Sequence, residues 1–217
     1  MTATPPKANC TIFVVDDDTS FLRSLSRLLS ATGYAVEAYT SAADFLNRPL
    51  PERSGCVVAD LQMPGINGLQ LQESLRKSNH PLPVIFLTGQ GDIPTTVSAM
   101  RSGAEDFLTK LAPKEELLAA VERALERDAR ERSQRHRQRE LKQRFEGLSQ
   151  REREVLSHVV QGKMNKEIAD ALNINLRTVK LHRTNITRKL GVQSVAELTR
   201  LADETGMFAD GTYPKGH

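Results

Sequence analysis

Cys56-Val57-Val58-Ala59-Asp60-Leu61-Gln62-Met63-Pro64-Gly65 runs through four mostly apolar residues into a carboxylate and then a Pro-Gly turn. A short apolar run closed by turn signals reads as a strand covered on both faces. Such a strand delivers its last residue to the carboxyl edge of its sheet, where open α/β sheets bind their ligands. Asp60 therefore stands where chemistry can be done. Taken alone, it would sooner be read as an acid that hydrogen-bonds the following turn.

Its surroundings change that reading. Strands are predicted at Thr11–Val15, Tyr34–Tyr39, Cys56–Ala59, Val84–Leu87 and Asp106–Leu108, with amphipathic segments between them. Phe21, Leu22, Leu25, Leu28 and Leu29 recur at helical spacing, as do Leu69, Leu71 and Leu75, and Val97, Ala99 and Met100 mark a shorter turn of helix. This βα alternation predicts a parallel sheet with helices on both faces. Just after the first, third, fourth and fifth strands come Asp16-Asp17-Asp18, Asp60, Thr88 and Lys110, all on one edge. Carboxylates brought so close repel one another unless a cation joins them, and acids without His or Cys suit a hard divalent ion such as Mg²⁺. With a hydroxyl and an ammonium added, the set suits a phosphoryl group, one carboxylate serving as nucleophile. Singly, each residue also has a plainer reading. Asp18 reads as a helix N-cap, Thr88 as a strand-end hydroxyl and Lys110 as a surface charge.

The 217 residues suffice for two domains with cores of their own. A hydrophobic fraction of 39% and a charged fraction of 26% are ordinary for a globular protein, with no run long enough to span a membrane. The opening MTATPPKANC carries no targeting pattern, so a cytoplasmic location is expected, and two isolated cysteines, Cys10 and Cys56, agree with a reducing compartment. Charge is uneven: residues 1–112 hold 9 Lys/Arg against 11 Asp/Glu, and residues 113–217 hold 21 against 16. The basic second half points toward nucleic acid, a weak signal on its own.

From Pro113, the residues Leu117, Leu118, Val121, Ala124 and Leu125 form a stripe that should cover the sheet, after which a charged helical stretch serves as a semi-rigid spacer. Its cluster Arg130, Arg132, Arg135, Arg137 and Arg139 reads as a solvated face more readily than as a phosphate contact. Ser149 with Glu152 forms a capping box before Val155, Leu156, Val159 and Val160, and Gly162 ends that helix. Asn165 is expected to cap a short helix through Leu172, Asn173–Asn175 to turn, Leu176–Leu190 to form a basic helix stopped by Gly191, and a last helix to run from Ser194 to Ala202. Two short helices joined by a tight turn, the second basic, fit a helix-turn-helix.

Residues 11 to 125 resemble the receiver domain of bacterial two-component response regulators, and GKMNKEIADALNINLRTVKLHRTNITRKLGV resembles the DNA-binding domain of LuxR/NarL/FixJ-type regulators. The resemblance implies an α/β receiver of the flavodoxin-like type over residues 9–125, its five-stranded parallel sheet in the order 2-1-3-4-5. It further implies a long helical linker over 126–146, an all-α helix-turn-helix domain over 147–207 and a disordered tail over 208–217. Asp60 matches the phospho-acceptor. Asp16, Asp17, Asp60 and, through its backbone carbonyl, Gln62 match the holders of Mg²⁺ (or Mn²⁺), and Thr88, Phe107 and Lys110 match the switch and phosphate-contacting residues. In the second domain, Lys180, Leu181 and Thr184 fall where the family meets base edges, with Val179 turned into the core. Asn165, Lys166, Thr178, Arg183 and Lys189 fall where phosphates are met. Implied partners are a sensor histidine kinase and double-stranded promoter DNA, bound as a homodimer through the last helix, with no membrane.

One position departs from the pattern. Leu111 follows Lys110 where the family has a cis proline, and a cis bond before Leu would cost roughly 3 kcal/mol or more, so a trans bond is expected. A receiver that binds DNA without being phosphorylated is the reading this departure keeps open. The first strand with Asp16-x-Asp18 also resembles the start of a haloacid dehalogenase-type phosphohydrolase, with Asp16 as nucleophile. That pattern requires an acidic pair after the lysine, and Leu111-Ala112-Pro113-Lys114 lacks one, so the chain is read as a regulator and not an enzyme.

Overall fold

The computed structural model describes residues 10–47, 54–78, 81–89 and 103–204. The short helix expected around Val97–Met100 and the tail beyond residue 207 lie outside them. Strands β1 (Cys10–Val15), β2 (Ala35–Tyr39), β3 (Ser54–Asp60), β4 (Val84–Thr88) and β5 (Asp106–Thr109) form one parallel sheet in the order β2-β1-β3-β4-β5.

The apolar strands are explained by two covered faces. Ile12, Val14, Cys56, Val58, Ile85 and Leu87 meet α1 (Thr19–Ala31) and the first part of α4 (Lys114–Glu146) on one side. Their alternate neighbours Phe13, Val15, Val57, Ala59 and Phe86 meet α2 (Ala42–Leu46) and α3 (Gly68–Lys77) on the other. With period-2 side chains buried both ways, a one-residue slip in register would leave polar strand ends inside. Asp16, Asp60, Thr88 and Lys110 consequently all end their strands at the same edge.

Two local features differ from the reading above. Helix α2 was not expected; its Ser41 cap accepts from the Asp44 N–H at 3.0 Å, but five residues are too few to show a helical period. Past Leu125, packing on the sheet continues through a charge: Asp128 is fully buried and accepts from Ser54 Oγ (2.8 Å) and Gly55 N (3.0 Å) at the start of β3. Asp128→Ala would leave the buried Gly55 N–H and the part-buried Ser54 hydroxyl without that acceptor, at roughly 1–3 kcal/mol for each group stranded. We expect a drop of about 2–4 kcal/mol in receiver stability by urea unfolding, and little change for the surface substitution Glu126→Ala.

The chain divides into two compact units within α4, after Ser133. In the second, α5 (Gln150–Val160), α6 (Asn165–Leu172), α7 (Leu176–Leu190) and α8 (Val195–Glu204) enclose Phe145, Val155, Leu156, Ile168, Val179 and Ile186. The Ser149–Glu152 capping box forms as expected. Asn165 does not cap α6: Met164 occupies the cap position, and its N–H donates to Glu167 at 2.6 Å. Asn165 is thereby freed for a contact described below. Asn173 adopts the left-handed conformation (φ 51°) that ends α6, and Asn175 caps α7. Among the described residues, no helix is long and apolar enough to cross a membrane.

Candidate acidic site and nucleic-acid interface

At the carboxyl edge of the sheet, one carboxylate oxygen from each of Asp16, Asp17 and Asp60 lies within 4.8 Å of the others. Asp16 and Asp60 are buried and Asp17 is exposed. Lys110 Nζ donates to Asp16 Oδ2 at 2.7 Å and to Asp60 Oδ2 at 2.9 Å. The second oxygen of Asp60 accepts from Gln62 N at 3.2 Å, and that of Asp16 from Asp18 N at 2.9 Å. Asp18 is the N-cap of α1, accepting from Ser20 N and Phe21 N. Burial pushes the Asp16 carboxyl above its usual range, outweighing the opposite pull of Lys110. Burial would lower the Lys110 ammonium, yet its bonds to Asp16 and Asp60 outweigh it and hold the group charged. One ammonium, bonded to two of the three carboxylates, thus leaves the cluster net negative and suited to a further cation.

The backbone supports this placement. Gly68, the first residue of α3, lies so close under Asp60 that a Cβ there would stand 2.7 Å from the Asp60 carbonyl oxygen, which only glycine avoids. Lys110 N donates to Thr88 O at 2.8 Å, fixing the start of the loop. The peptide to Leu111 is trans, and Leu111 turns outward at 92% exposure while the lysine still reaches both acids. Thr88 is buried at the end of β4, one residue beyond the partner of Asp60 in the register. Phe107 pairs with Phe86 and packs half-buried against the second core. Gln62 is exposed and borders, with Asp17, Met63 and Asn67, an open cleft of about 570 Å³ beside the acids. Sequence reasoning missed Phe21, whose ring lies 4.7 Å from Lys110 Nζ, a cation–π contact.

In the second unit, Lys180, Leu181 and Thr184 are exposed on one face of α7 and Val179 is buried beneath it. Asn165 Oδ1 accepts from Arg183 Nη1 at 2.8 Å, joining α6 to α7. Thr178 is held by the Asn175 cap through both N–H and hydroxyl, and Lys166 is exposed. Lys189 donates to Glu152 Oε2 at 2.7 Å and Gly147 O at 3.2 Å.

Residues 12–122 match the profile of the response regulator receiver domain, and residues 146–202 that of the bacterial regulatory proteins of the luxR family. The transcriptional regulatory protein FixJ of Azorhizobium caulinodans is 44% identical over 204 residues, 94% of this chain and 97% of FixJ. The chain belongs to the two-component response regulators of the NarL/FixJ type. Another response regulator, TodT of Pseudomonas putida, is 42% identical over 192 residues, covering 88% of this chain and 85% of TodT. The solved structure of the response regulator StyR matches with a TM-score of 0.80 at 44% identity, over 91% of this chain and all of that one.

For this response regulator, the Lys189–Glu152 pair is first a stabilising one. Burial would raise the Glu152 carboxyl, but Lys189 and the Ser149 N–H and hydroxyl outweigh it and hold the group below its ordinary 4.5. A depressed carboxyl contributes stability above its unfolded value, lost as pH falls through the folded one. Lys189→Met should therefore destabilise the second unit at neutral pH by about 1 kcal/mol, the half-exposed ammonium being screened. The difference should shrink below about pH 4.5, as read by amide exchange in α5 and α7.

Proposed function

We propose that this regulator is switched by phosphorylation of Asp60 and binds promoter DNA through α7. A histidine kinase presents its phosphohistidine at the sheet edge. An Asp60 carboxylate oxygen forms the new P–O bond as the P–N bond breaks, and the histidine nitrogen keeps the electron pair. The Lys110 ammonium offsets charge on the phosphoryl oxygens, and the Thr88 hydroxyl donates a hydrogen bond to one of them. Asp16, Asp17, Asp60 and the Gln62 carbonyl would hold Mg²⁺ (or Mn²⁺). An all-oxygen set with one exposed member suits a hard ion that keeps part of its water. When bound, the ion neutralises further charge on the transferring group.

Movement of Thr88 toward the phosphoryl group, with repacking of Phe107, carries the change to the surface beside β5. Residues 9–125 act as receiver, 126–146 as helical linker and 147–207 as DNA-binding domain. Lys180, Leu181 and Thr184 meet base edges. Lys166, Thr178, Lys189 and the Asn165–Arg183 pair meet phosphates, and α8 pairs two copies on a two-fold promoter site in the cytoplasm.

The observation that carries this reading is the single lysine bridging Asp16 and Asp60. Incubation with acetyl phosphate and Mg²⁺ should add the mass of one phosphoryl group, on the peptide containing Asp60. Absence of the adduct would favour a receiver that works without phosphorylation.

A further inference from the structure

The exposed face of α7 carries more than the three residues placed at base edges. Arg177, in the first turn, stands three and seven residues before Lys180 and Thr184 and four before Leu181, so all four share one stripe. All four are exposed. Of the neighbouring arginines, Arg183 is held by Asn165 (2.8 Å) and Arg188 by Asn185 (3.2 Å), and Lys189 is held by Glu152 (2.7 Å). Among the described residues, Arg177 has no hydrogen-bond or ion-pair partner. Its backbone is nevertheless firmly set. Asn175 caps the helix by accepting from Thr178 N (2.8 Å) and Thr178 Oγ1 (2.9 Å), and Val179 is anchored in the core.

A rigid first turn presenting an unengaged guanidinium along the base-reading stripe has a specific chemical match. The N-terminal residues of a helix lying in the major groove are those that reach base edges. The planar fork of arginine pairs with O6 and N7 of guanine, which no other base pair presents as two adjacent acceptors. Lys180 offers a point charge, Leu181 an apolar contact for a thymine methyl, and Thr184 a single hydroxyl. We infer that Arg177 reads a guanine in the operator half-site and is a specificity-determining residue of this regulator. This rests on the reading of α7 as the DNA-binding helix.

The test selects binding sites for the full chain from a randomised duplex library, then measures affinities for the selected duplex and its single base-pair variants. Wild type should select a fixed guanine whose replacement costs about 5- to 150-fold. Arg177→Ala and Arg177→Lys should both lose that discrimination while keeping it elsewhere in the site. Arg177→Lys should keep the salt dependence of wild type, because it keeps the charge but not the fork. Uniform weakening of every duplex by Arg177→Ala, with a salt slope reduced by about one and unchanged base preference, would make Arg177 a phosphate contact and overturn the inference. Unchanged binding by both variants would overturn it as well. Selection of no sequence by wild type would remove the DNA-binding reading beneath it, a distinct failure.

Discussion

Asp60→Asn is expected to abolish phosphoryl acceptance while leaving the receiver folded. The amide oxygen still accepts the Gln62 N–H that Asp60 Oδ1 accepts at 3.2 Å, so the turn after β3 keeps its anchor. What disappears is the anionic nucleophile and one of the three carboxylates of the acidic cluster. Acetyl phosphate with Mg²⁺ should leave the variant's mass unchanged, and phosphodonor should no longer alter its affinity for promoter DNA. Basal DNA binding should stay within about twofold of unphosphorylated wild type, since the substitution lies in the receiver, alters no residue of α7 and removes only the acceptor of the phosphoryl group. An adduct that persists in Asp60→Asn would place the acceptor elsewhere.

Lys110→Ala should have two large effects of different origin. Asp16 and Asp60 have side chains only 2% and 10% exposed and share this one ammonium. Removing one partner of a buried ion pair costs about 3–5 kcal/mol, here toward the lower end because the two acids can respond. Asp16 is already pushed upward by burial, and without the lysine it rises further above its ordinary 3.8. A raised carboxyl binds its proton more tightly folded than unfolded, so the variant regains stability as pH falls toward that value. Mg²⁺ should restore the variant more than it stabilises wild type, because the ion replaces the missing charge. Phosphorylation by acetyl phosphate should slow by about 10²–10³, the usual cost of removing one aimed electrostatic group. Urea unfolding at neutral pH with and without Mg²⁺ checks the first effect. Equal stabilisation of both proteins by the ion would contradict it.

These expectations began with strand ends, and it is clear why those were legible. A strand buried on both faces leaves a continuous apolar signature that stops where the chain leaves the sheet, so Asp16, Asp60, Thr88 and Lys110 could be located without coordinates. The Ser149–Glu152 box and the Asn173–Asn175 turn were legible for a similar reason, each being a local hydrogen-bonding pattern. What escaped depends on partners distant in the chain. Asp128 looks like one charge in a charged helix, yet it is buried because Ser54, 74 residues earlier, donates to it. The bond from Lys189 to Glu152, 37 residues apart, likewise leaves no local signature. Asn165 looks like a cap, but its side chain is taken by Arg183. Phe21 belongs by its spacing to the apolar stripe of α1, and only folding brings its ring to Lys110. Leu111 departs from the family pattern, and the trans peptide there leaves Lys110 aimed at both acids.

The central claim is that charge at Asp60 is coupled to DNA affinity, and titration of a selected promoter duplex with the full chain, at one fixed salt concentration, tests it most directly. With Mg²⁺ and phosphodonor, wild type should bind at least fivefold tighter than without, a coupling of about 1 kcal/mol or more, and Asp60→Asn should show no difference. Equal affinity of wild type in both conditions, with the Asp60 adduct present, would contradict the claim.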